Sequence, residues 1–338
     1  MNTDGIRAAK PAAESDSVEV PEDSSSSGVP ADRRAVLREA QDLRARLEES
    51  GIVVPGSPAC ARPVTWRRAT LGGPVPIVAV ATTGADAAAC AEQARAARRA
   101  GADLVELRAD LLTAPEAAAA TGCKRAATTM PARWAPQELA GLWLAAARAV
   151  GAELRGSGIP VLLTVRTAAE GGGLDVDDVT YRAALADAIE RVGGECGAAA
   201  AVDVELARGD LPRLVRLARR AGLDVVASSH DFAATPNDVE MLRRLHAMQD
   251  AGAAVAKLAV TPAGPADVER LVGVAARARG ELDIPVVAIA MGEAGVLTRL
   301  AGGVFGSALT FATAGSAASA PGQLPVARVR EALALLHS

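Results

Sequence analysis

Residues 254–262, AVAKLAVTP, form a nearly continuous apolar run with one lysine in its middle and a Thr-Pro stop at its end. Such a run predicts a buried strand of a parallel sheet. The chain has three lysines against 33 arginines, so a generic surface cation would be an arginine. Lys257 is therefore a candidate for chemistry that a guanidinium cannot perform, because an amine among apolar groups can lose its proton and become a nucleophile. The alternative is a lysine whose stem lines the core while its head reaches water.

The chain repeats this pattern from Pro76 onward, with short apolar runs alternating with longer Ala-, Leu- and Arg-rich stretches of helical period. The predicted strands are Ile77–Ala81, Asp103–Arg108, Val161–Arg166, Ala201–Glu205, Asp224–Ser228, Val255–Val260, Val286–Ala290 and Gly303–Ser307. The predicted helices are 86–100, 136–154, 178–194, 210–221, 236–251, 265–279, 294–300 and 326–337. Eight strands alternating with eight helices predict an α/β fold of the (β/α)8 TIM barrel type. A doubly wound open sheet is the competitor, but no GxGxxG follows the first strand.

Residues 1–75 differ in composition and are predicted to be an extension outside a barrel domain of residues 76–338. Residues 1–30 are acidic and Ser-rich, which predicts disorder. Residues 32–50 are rich in Arg and Glu around a narrow apolar stripe, which predicts a charged helix. Residues 51–75 contain Pro and Gly throughout and are interpreted as a linker.

The composition bears on partners and compartment. A net charge of −4 and a pI of about 5.6 argue against a nucleic-acid partner. The four cysteines are scattered without CxxC spacing, so neither a metal motif nor a disulfide framework is expected. No signal peptide or long apolar span is evident, and a protein of the cytoplasm with no membrane partner is expected.

Charged side chains cluster at the ends of the predicted strands. Glu106, Arg108 and Asp110 alternate, so an extended chain places all three on one side. Three charges on an inward face predict a polar cavity, although a salt-bridge lattice that plugs the barrel end is an alternative. Further polar residues at strand ends or in the loops after them are Arg166, Glu170, Asp203, Glu205, His230, Arg299, Ser319 and Gln323.

One buried lysine and one histidine among arginines and carboxylates indicate imine chemistry at a barrel mouth. A neutral amine attacks a ketone, and an adjacent base removes a proton next to the resulting iminium. Arginines would hold an anionic substrate. This chemistry needs no metal, and no ligands at metal spacing are evident.

Several of these segments together resemble the type I 3-dehydroquinate dehydratase family, from about Pro76 to the C-terminus. The matching segments are 106–110 (ELRAD), 164–166 (TVR) with 170–172 (EGG), 203–205 (DVE), 229–232 (SHDF), 257–262 (KLAVTP) and 319–323 (SAPGQ), with Arg299 between the last two. The resemblance implies a lyase of the shikimate pathway, on the route to chorismate and the aromatic amino acids. It implies a cytoplasmic homodimer that uses no metal or organic cofactor and converts 3-dehydroquinate to 3-dehydroshikimate and water.

The resemblance also implies roles for twelve residues. Lys257 would form the Schiff base with the C3 ketone, His230 would take the C2 proton and assist loss of the C1 hydroxyl, and Glu170 would tune His230. The implied substrate-binding residues are Glu106, Arg108, Arg166, Arg299, Ser319 and Gln323. Asp110, Asp203 and Glu205 would support these residues from behind.

Three departures and two alternatives accompany the resemblance. The end of the first strand reads Ala81-Thr82-Thr83 where a serine is expected, the loop before Ser319 is about one residue longer than the family pattern, and residues 1–75 have no counterpart. A class I aldolase would share the lysine but has no reason to carry the 319–323 segment. A non-catalytic barrel paralogue would show decay of the catalytic set. The sequence leaves open whether the product serves aromatic amino-acid synthesis, quinate breakdown or a secondary pathway.

Overall fold

The structure is a computed structural model that describes residues 60, 62–113, 134–195, 199–315, 319–320 and 322–337. The acidic Ser-rich segment and the charged helix predicted for residues 32–50 lie outside the described residues.

Eight parallel strands curl into a barrel, as the sequence predicts. In chain order the barrel strands are β3 (Ile77–Thr82), β4 (Leu104–Arg108), β5 (Val161–Thr164), β6 (Ala199–Glu205), β7 (Asp224–Asp231), β8 (Val255–Val260), β9 (Val286–Ala290) and β10 (Leu309–Thr313). Each pairs with its sequence neighbour, and β10 returns to pair with β3. Between β9 and β10 the barrel closes through a parallel bridge from Val286 to Ser307, and the Ala308 N–H donates to the Val286 carbonyl at 2.7 Å. The short β11 (Leu324–Pro325) pairs in parallel with the end of β10.

Helices follow the strands and cover the outside of the barrel. They are α1 (Ala87–Ala100), α2 (Pro136–Glu153), α3 (Asp178–Glu195), α4 (Leu211–Arg220), α5 (Asp238–Asp250), α6 (Pro265–Glu281), α7 (Val296–Leu300) and α8 (Val326–Leu336). The ends of α1 show why the boundaries were predictable: the Asp86 side chain accepts from the Ala89 N–H, and Gly101 adopts φ 87° at the C-terminal end. Within the described residues, no helix is long and apolar enough to span a membrane.

The predicted last strand, Gly303–Ser307, is wrong. Residues Gly302–Phe305 form a 3-10 helix, and the strand begins at Leu309. Gly303 packs so closely against the ring of Pro76 that a Cβ there would lie 2.6 Å from it, and Gly306 turns the chain with φ 94°. The small residues thus serve a tight turn, and the β-forming Thr310-Phe311 pair supplies the strand.

Residues 64–71, assigned to the linker from the sequence, instead form an antiparallel hairpin of β1 (Val64–Trp66) and β2 (Ala69–Leu71). Trp66 and Leu71 are buried against side chains from the N-terminal ends of the barrel strands, including Leu104 and Val255. The Trp66 indole N–H donates to Asp224 at 2.8 Å. The hairpin therefore covers the N-terminal end of the barrel and leaves the opposite end for the site.

Candidate active site

Lys257 lies in the middle of β8 and faces the barrel interior. Its strand alternates: Val255 and Ala259 pack inside the barrel, while Ala256 and Leu258 pack against the helices. The lysine is only 5% exposed, so its head does not reach bulk water and the surface-lysine alternative does not fit.

The Lys257 amine is held among two carboxylates and one aromatic ring. Its Nζ lies 3.2 Å from Oδ2 of Asp203 and 3.5 Å from Oε1 of Glu106. The ring centroid of Phe311 is 5.0 Å away, which is within range of a cation–π contact. The amine thus lies at the junction of β4, β6 and β10.

His230, on β7, pairs with Glu170, which follows β5. The Nδ1 atom of His230 lies 2.9 Å from Oε2 of Glu170, and the His230 backbone N–H donates to the same oxygen at 3.1 Å. Glu170 lies in a short 3-10 helix that ends at Gly171, with φ 75°. A Cβ on Gly171 would lie 2.3 Å from the Phe232 ring, so only glycine lets these two loops meet.

Burial dominates the protonation of this pair. It lowers the pKa of His230 well below its ordinary value, and the charges of Arg166 and Lys257 add to this effect. Burial, together with the charge of Glu205, raises the pKa of Glu170 to about 8. Near neutral pH the proton shared by the two side chains therefore lies on the Glu170 carboxyl, and the His230 ring is neutral. The two residues do not form a carboxylate–imidazolium ion pair under these conditions.

Arg166 ties the carboxylates behind the site together. Its guanidinium donates to Asp203 at 2.8 Å, to Glu205 at 3.0 Å and to Glu170 at 3.3 Å. It also donates to the Ser228 hydroxyl at 3.0 Å. Because this arginine is itself buried, the network forms a rigid wall on one side of the cavity.

Glu106 and Arg108 reach the cavity from β4. Glu106 accepts from the Thr164 hydroxyl at 2.9 Å, and Arg108 binds both oxygens of Asp110 at 2.8 Å each. Asp110 also accepts the Gly173 N–H at 3.0 Å. Both interpretations of the alternating charges therefore hold in part, since Arg108 and Asp110 form a largely buried salt bridge while Glu106 and Arg108 line the cavity.

Arg299, Ser319 and Gln323 line the opposite side. Arg299 is 2% exposed on α7, and burial lowers its pKa to about 10, so it stays charged near neutral pH. The Gln323 amide donates to the Ser319 hydroxyl at 2.9 Å, and the Ser319 N–H donates back to the Gln323 carbonyl oxygen at 3.0 Å. Ser319 and Gln323 therefore present polar groups to the cavity that Arg299 also lines.

The nine residues predicted from the sequence to be catalytic or substrate-binding all line one cavity of about 200 Å³. They are Lys257, His230, Glu170, Glu106, Arg108, Arg166, Arg299, Ser319 and Gln323. Residues 81–83, at the end of β3, are not among the lining residues. Among the described residues, no group of three or more His, Cys, Asp or Glu side chains is arranged to hold a metal ion.

Sequence reasoning missed the apolar part of the lining, which includes Ala259, Ile289, Met291 and Phe311. Apolar residues carry no signal of their own in a chain that is half hydrophobic. The alternation of β9 could have found Ile289, because Val287 and Ile289 pack inside the barrel while Ala288 and Ala290 pack outside. The contact of Lys257 with Phe311 depends on barrel closure and had no sequence signal.

Comparisons with known proteins agree on one family. Residues 78–338 match the family model of type I 3-dehydroquinase. A 3-dehydroquinate dehydratase of Bacillus subtilis (strain 168) is 40% identical over 179 residues, which is 52% of this chain and 68% of that protein. A 3-dehydroquinate dehydratase of Klebsiella pneumoniae (strain 342) is 37% identical over 190 residues, covering 55% of this chain and 73% of that protein.

Solved structures lead to the same family. The crystal structure of 3-dehydroquinate dehydratase from Geobacillus kaustophilus HTA426 aligns with a TM-score of 0.69 at 31% identity, covering 82% of this chain and 97% of that one. A type I 3-dehydroquinate dehydratase from Clostridium difficile, solved with covalently modified comenic acid, aligns with a TM-score of 0.66 at 28% identity, covering 82% and 98%.

Proposed function

The chain belongs to the type I 3-dehydroquinase family, and on that premise we propose that Lys257, His230 and Glu170 carry out its reaction. That reaction is the dehydration of 3-dehydroquinate to 3-dehydroshikimate, a hydro-lyase step of the shikimate pathway. The observation that carries the residue assignment is the meeting of the buried Lys257 amine and the His230–Glu170 pair in one cavity.

Lys257 supplies the nucleophile. In its neutral form the amine attacks the C3 ketone, and loss of water from the adduct leaves an iminium that withdraws electrons from C2. The match to the family model over residues 78–338 includes the strand that carries Lys257 and supports this role.

His230 acts as the base. Its Nδ1 is bound to Glu170, so Nε2 is the ring nitrogen available to take the C2 proton. The competent form has Glu170 as a carboxylate that accepts the Nδ1 proton, which leaves a lone pair on Nε2. Return of that proton to the C1 oxygen lets the C1–O bond break and water leave, which regenerates the pair. A water molecule then hydrolyses the product iminium, which frees 3-dehydroshikimate and restores the Lys257 amine.

Arg299 binds the substrate carboxylate, with Ser319 and Gln323 beside it. A buried cation that keeps its charge favours a carboxylate strongly, because little water screens the pair. Glu106, Arg108 and Arg166 bind the ring hydroxyls at the other end. This division is supported by their places in the barrel, since Arg299 follows β9 and Gln323 follows β10, whereas the other three come from β4 and from just after β5.

The chain works as a cytoplasmic homodimer with a catalytic domain of residues 76–338 and an extension of residues 1–75. The cytoplasmic location is supported by the composition, since the four cysteines are scattered without CxxC spacing and the chain is acidic. Support for the domain limit is the family match, which begins at residue 78. Gel filtration with light scattering tests the dimer.

A turnover and trapping experiment tests the function. Wild type should convert 3-dehydroquinate with rising absorbance of the conjugated product, and borohydride with substrate should leave a reduced adduct on Lys257. Lys257→Met should lose both, and Lys257→Arg should lose both while keeping the positive charge. Lys124→Met is the matched control and should keep both. A wild-type protein that neither turns over nor forms an adduct would contradict the proposal.

A further inference from the structure

The two carboxylates beside Lys257 differ in their relation to the cavity. Glu106 lines it, whereas Asp203 is fully buried and is not among the lining residues. The Lys257 amine donates to Asp203 Oδ2 at 3.2 Å, whereas its 3.5 Å approach to Glu106 lacks hydrogen-bond geometry. A bound substrate can therefore engage Glu106, while Asp203 stays behind the lysine.

Asp203 is fixed through its other oxygen. Oδ1 accepts from Arg166 at 2.8 Å and from the Ser228 hydroxyl at 2.6 Å, which leaves Oδ2 directed to Lys257. Ser228 is the register partner of Lys257 on the neighbouring strand, so three adjacent barrel strands hold the carboxylate in place. Burial would raise the pKa of Asp203, but the charges of Arg166 and Lys257 and the Ser228 hydrogen bond outweigh it and lower that pKa.

We propose that Asp203 is the fixed counter-ion of the iminium that Lys257 forms with substrate. This role rests on the proposed function. The nitrogen is cationic in the first iminium, becomes neutral when the electron pair of the broken C2–H bond moves to it in the enamine, and is cationic again after hydroxide leaves C1 as water. A preorganised carboxylate 3.2 Å from the nitrogen stabilises both cationic stages without reorganising.

Other charged groups around the amine do not replace Asp203. Seven other titratable or charged residues come from the elements around the amine. They are Glu106 and Arg108 on β4, Arg166 and Glu170 just after β5, Glu205 on β6, His230 on β7 and Arg299 on α7. Arg166 and Arg108 are cations, and Arg108 is paired with Asp110. Glu205 is already bound by Arg166 and Thr167, and Glu170 is already hydrogen-bonded to His230. Glu106 is the remaining anion, and it faces substrate.

The test measures trapping of the iminium across a range of pH. Cyanoborohydride delivers hydride to the carbon of a protonated iminium and leaves a secondary amine on Lys257, but it reduces a neutral imine poorly. Trapping at saturating 3-dehydroquinate should be followed by intact mass from pH 5.5 to 9.5. The variants are Asp203→Asn, Glu106→Gln and, at the other end of the barrel, Asp224→Asn, with folding checked by circular dichroism.

In wild type, trapping should persist to alkaline pH. The highest pH at which trapping occurs is the alkaline limit. In Asp203→Asn this limit should move down by roughly one to three pH units, because an opposite charge at this distance raises the pKa of the protonated iminium by that much. Glu106→Gln should raise KM with a smaller shift, and Asp224→Asn should match wild type. A uniform loss of trapping at all pH values in Asp203→Asn would indicate a packing role and overturn the inference, as would an unchanged profile.

Two further results keep the inference and the proposed function separable. If wild type itself gives no adduct, the proposed function fails; if only the Asp203→Asn shift is missing, the counter-ion role alone fails. Should Asp203→Asn not fold, Ser228→Ala is the second variant. It keeps the carboxylate charge but removes one of the two hydrogen bonds that hold Oδ1, so the alkaline limit should move the same way by a smaller amount. No movement would contradict the role.

Discussion

Oε2 of Glu170 is hydrogen-bonded to two nitrogens of one residue, the Nδ1 atom of His230 at 2.9 Å and the His230 backbone N–H at 3.1 Å. The side chain and the main chain of the histidine are thus fixed to the same carboxylate. The pair must titrate as a unit, because a change of charge on either member is felt by the other at this distance.

The first prediction concerns the pH dependence of kcat/KM. In the proposed mechanism His230 acts as the base only when Glu170 is ionised. The pKa of Glu170 is raised to about 8, so wild-type kcat/KM should fall as pH drops through that region. In Glu170→Gln the carboxyl no longer titrates, so the fall of kcat/KM on the acid side should follow the protonation of His230. Because the pKa of His230 is lowered, this acid limb of the profile should move to lower pH. The plateau should fall roughly 10- to 100-fold because the imidazole is less basic.

The matched control for that experiment is Glu331→Gln, at an exposed carboxylate paired with Arg328. It should leave the profile unchanged. An acid limb in Glu170→Gln at the wild-type pH or above it would contradict the assignment of the limb to the pair.

The second prediction separates imine formation from proton removal. His230→Ala should still form the borohydride-trapped adduct, because Lys257 and its partners are intact, while kcat falls by about 10²- to 10⁴-fold. The measurement is single-turnover mass spectrometry beside steady-state rates. His246→Ala is the control, since that histidine also lies 2.9 Å from a glutamate, Glu281, but on the surface. Failure of His230→Ala to form any adduct would show that the histidine acts before the imine.

The third prediction concerns the substrate carboxylate. Arg299→Ala should raise KM by about 100-fold or more with a smaller change in kcat, because a buried cation is lost from binding. Arg328→Ala, at an arginine that is 72% exposed, should match wild type. Steady-state kinetics measure KM and kcat for both variants. An unchanged KM in Arg299→Ala would show that Arg299 does not bind the substrate carboxylate.

The fourth prediction compares two truncations. Removal of residues 1–59 should leave kcat and thermal stability close to wild type, because the family match and the site begin after them. Removal of residues 1–75 takes away the hairpin and exposes the apolar N-terminal end of the barrel, including Leu104 and Val255. The loss of the buried Trp66 alone should cost about 3 to 5 kcal/mol in the free energy of unfolding.

Chemical denaturation of both truncations measures that difference, and Trp66→Ala in the full chain should reproduce most of it. Equal stability of the two truncated proteins would show that the hairpin contributes nothing to the barrel. A large loss of activity on removing residues 1–59 would show that the extension helps to build the site.

The barrel and most element boundaries were predictable because local signals agree with the fold. Apolar runs such as Val255–Val260 are buried on both faces, and the glycine after α1 adopts the left-handed conformation that the sequence predicts. Prediction of the secondary structure failed where small residues were compatible with two different local structures. Gly303 permits a close approach to Pro76 rather than a strand, and three-residue strands around Trp66 are too short to show a period.

The sequence by itself determined which chemistry is present, because a rare lysine and polar residues at alternate positions of strand ends are written locally in the chain. Only the tertiary structure decided how those groups act. Closure of the barrel brings Asp203, from a strand two places away, to within 3.2 Å of Lys257, and Phe311 to within 5.0 Å. Burial then sets the protonation of Glu170 and His230, and burial is a property of the packed barrel that no local pattern contains.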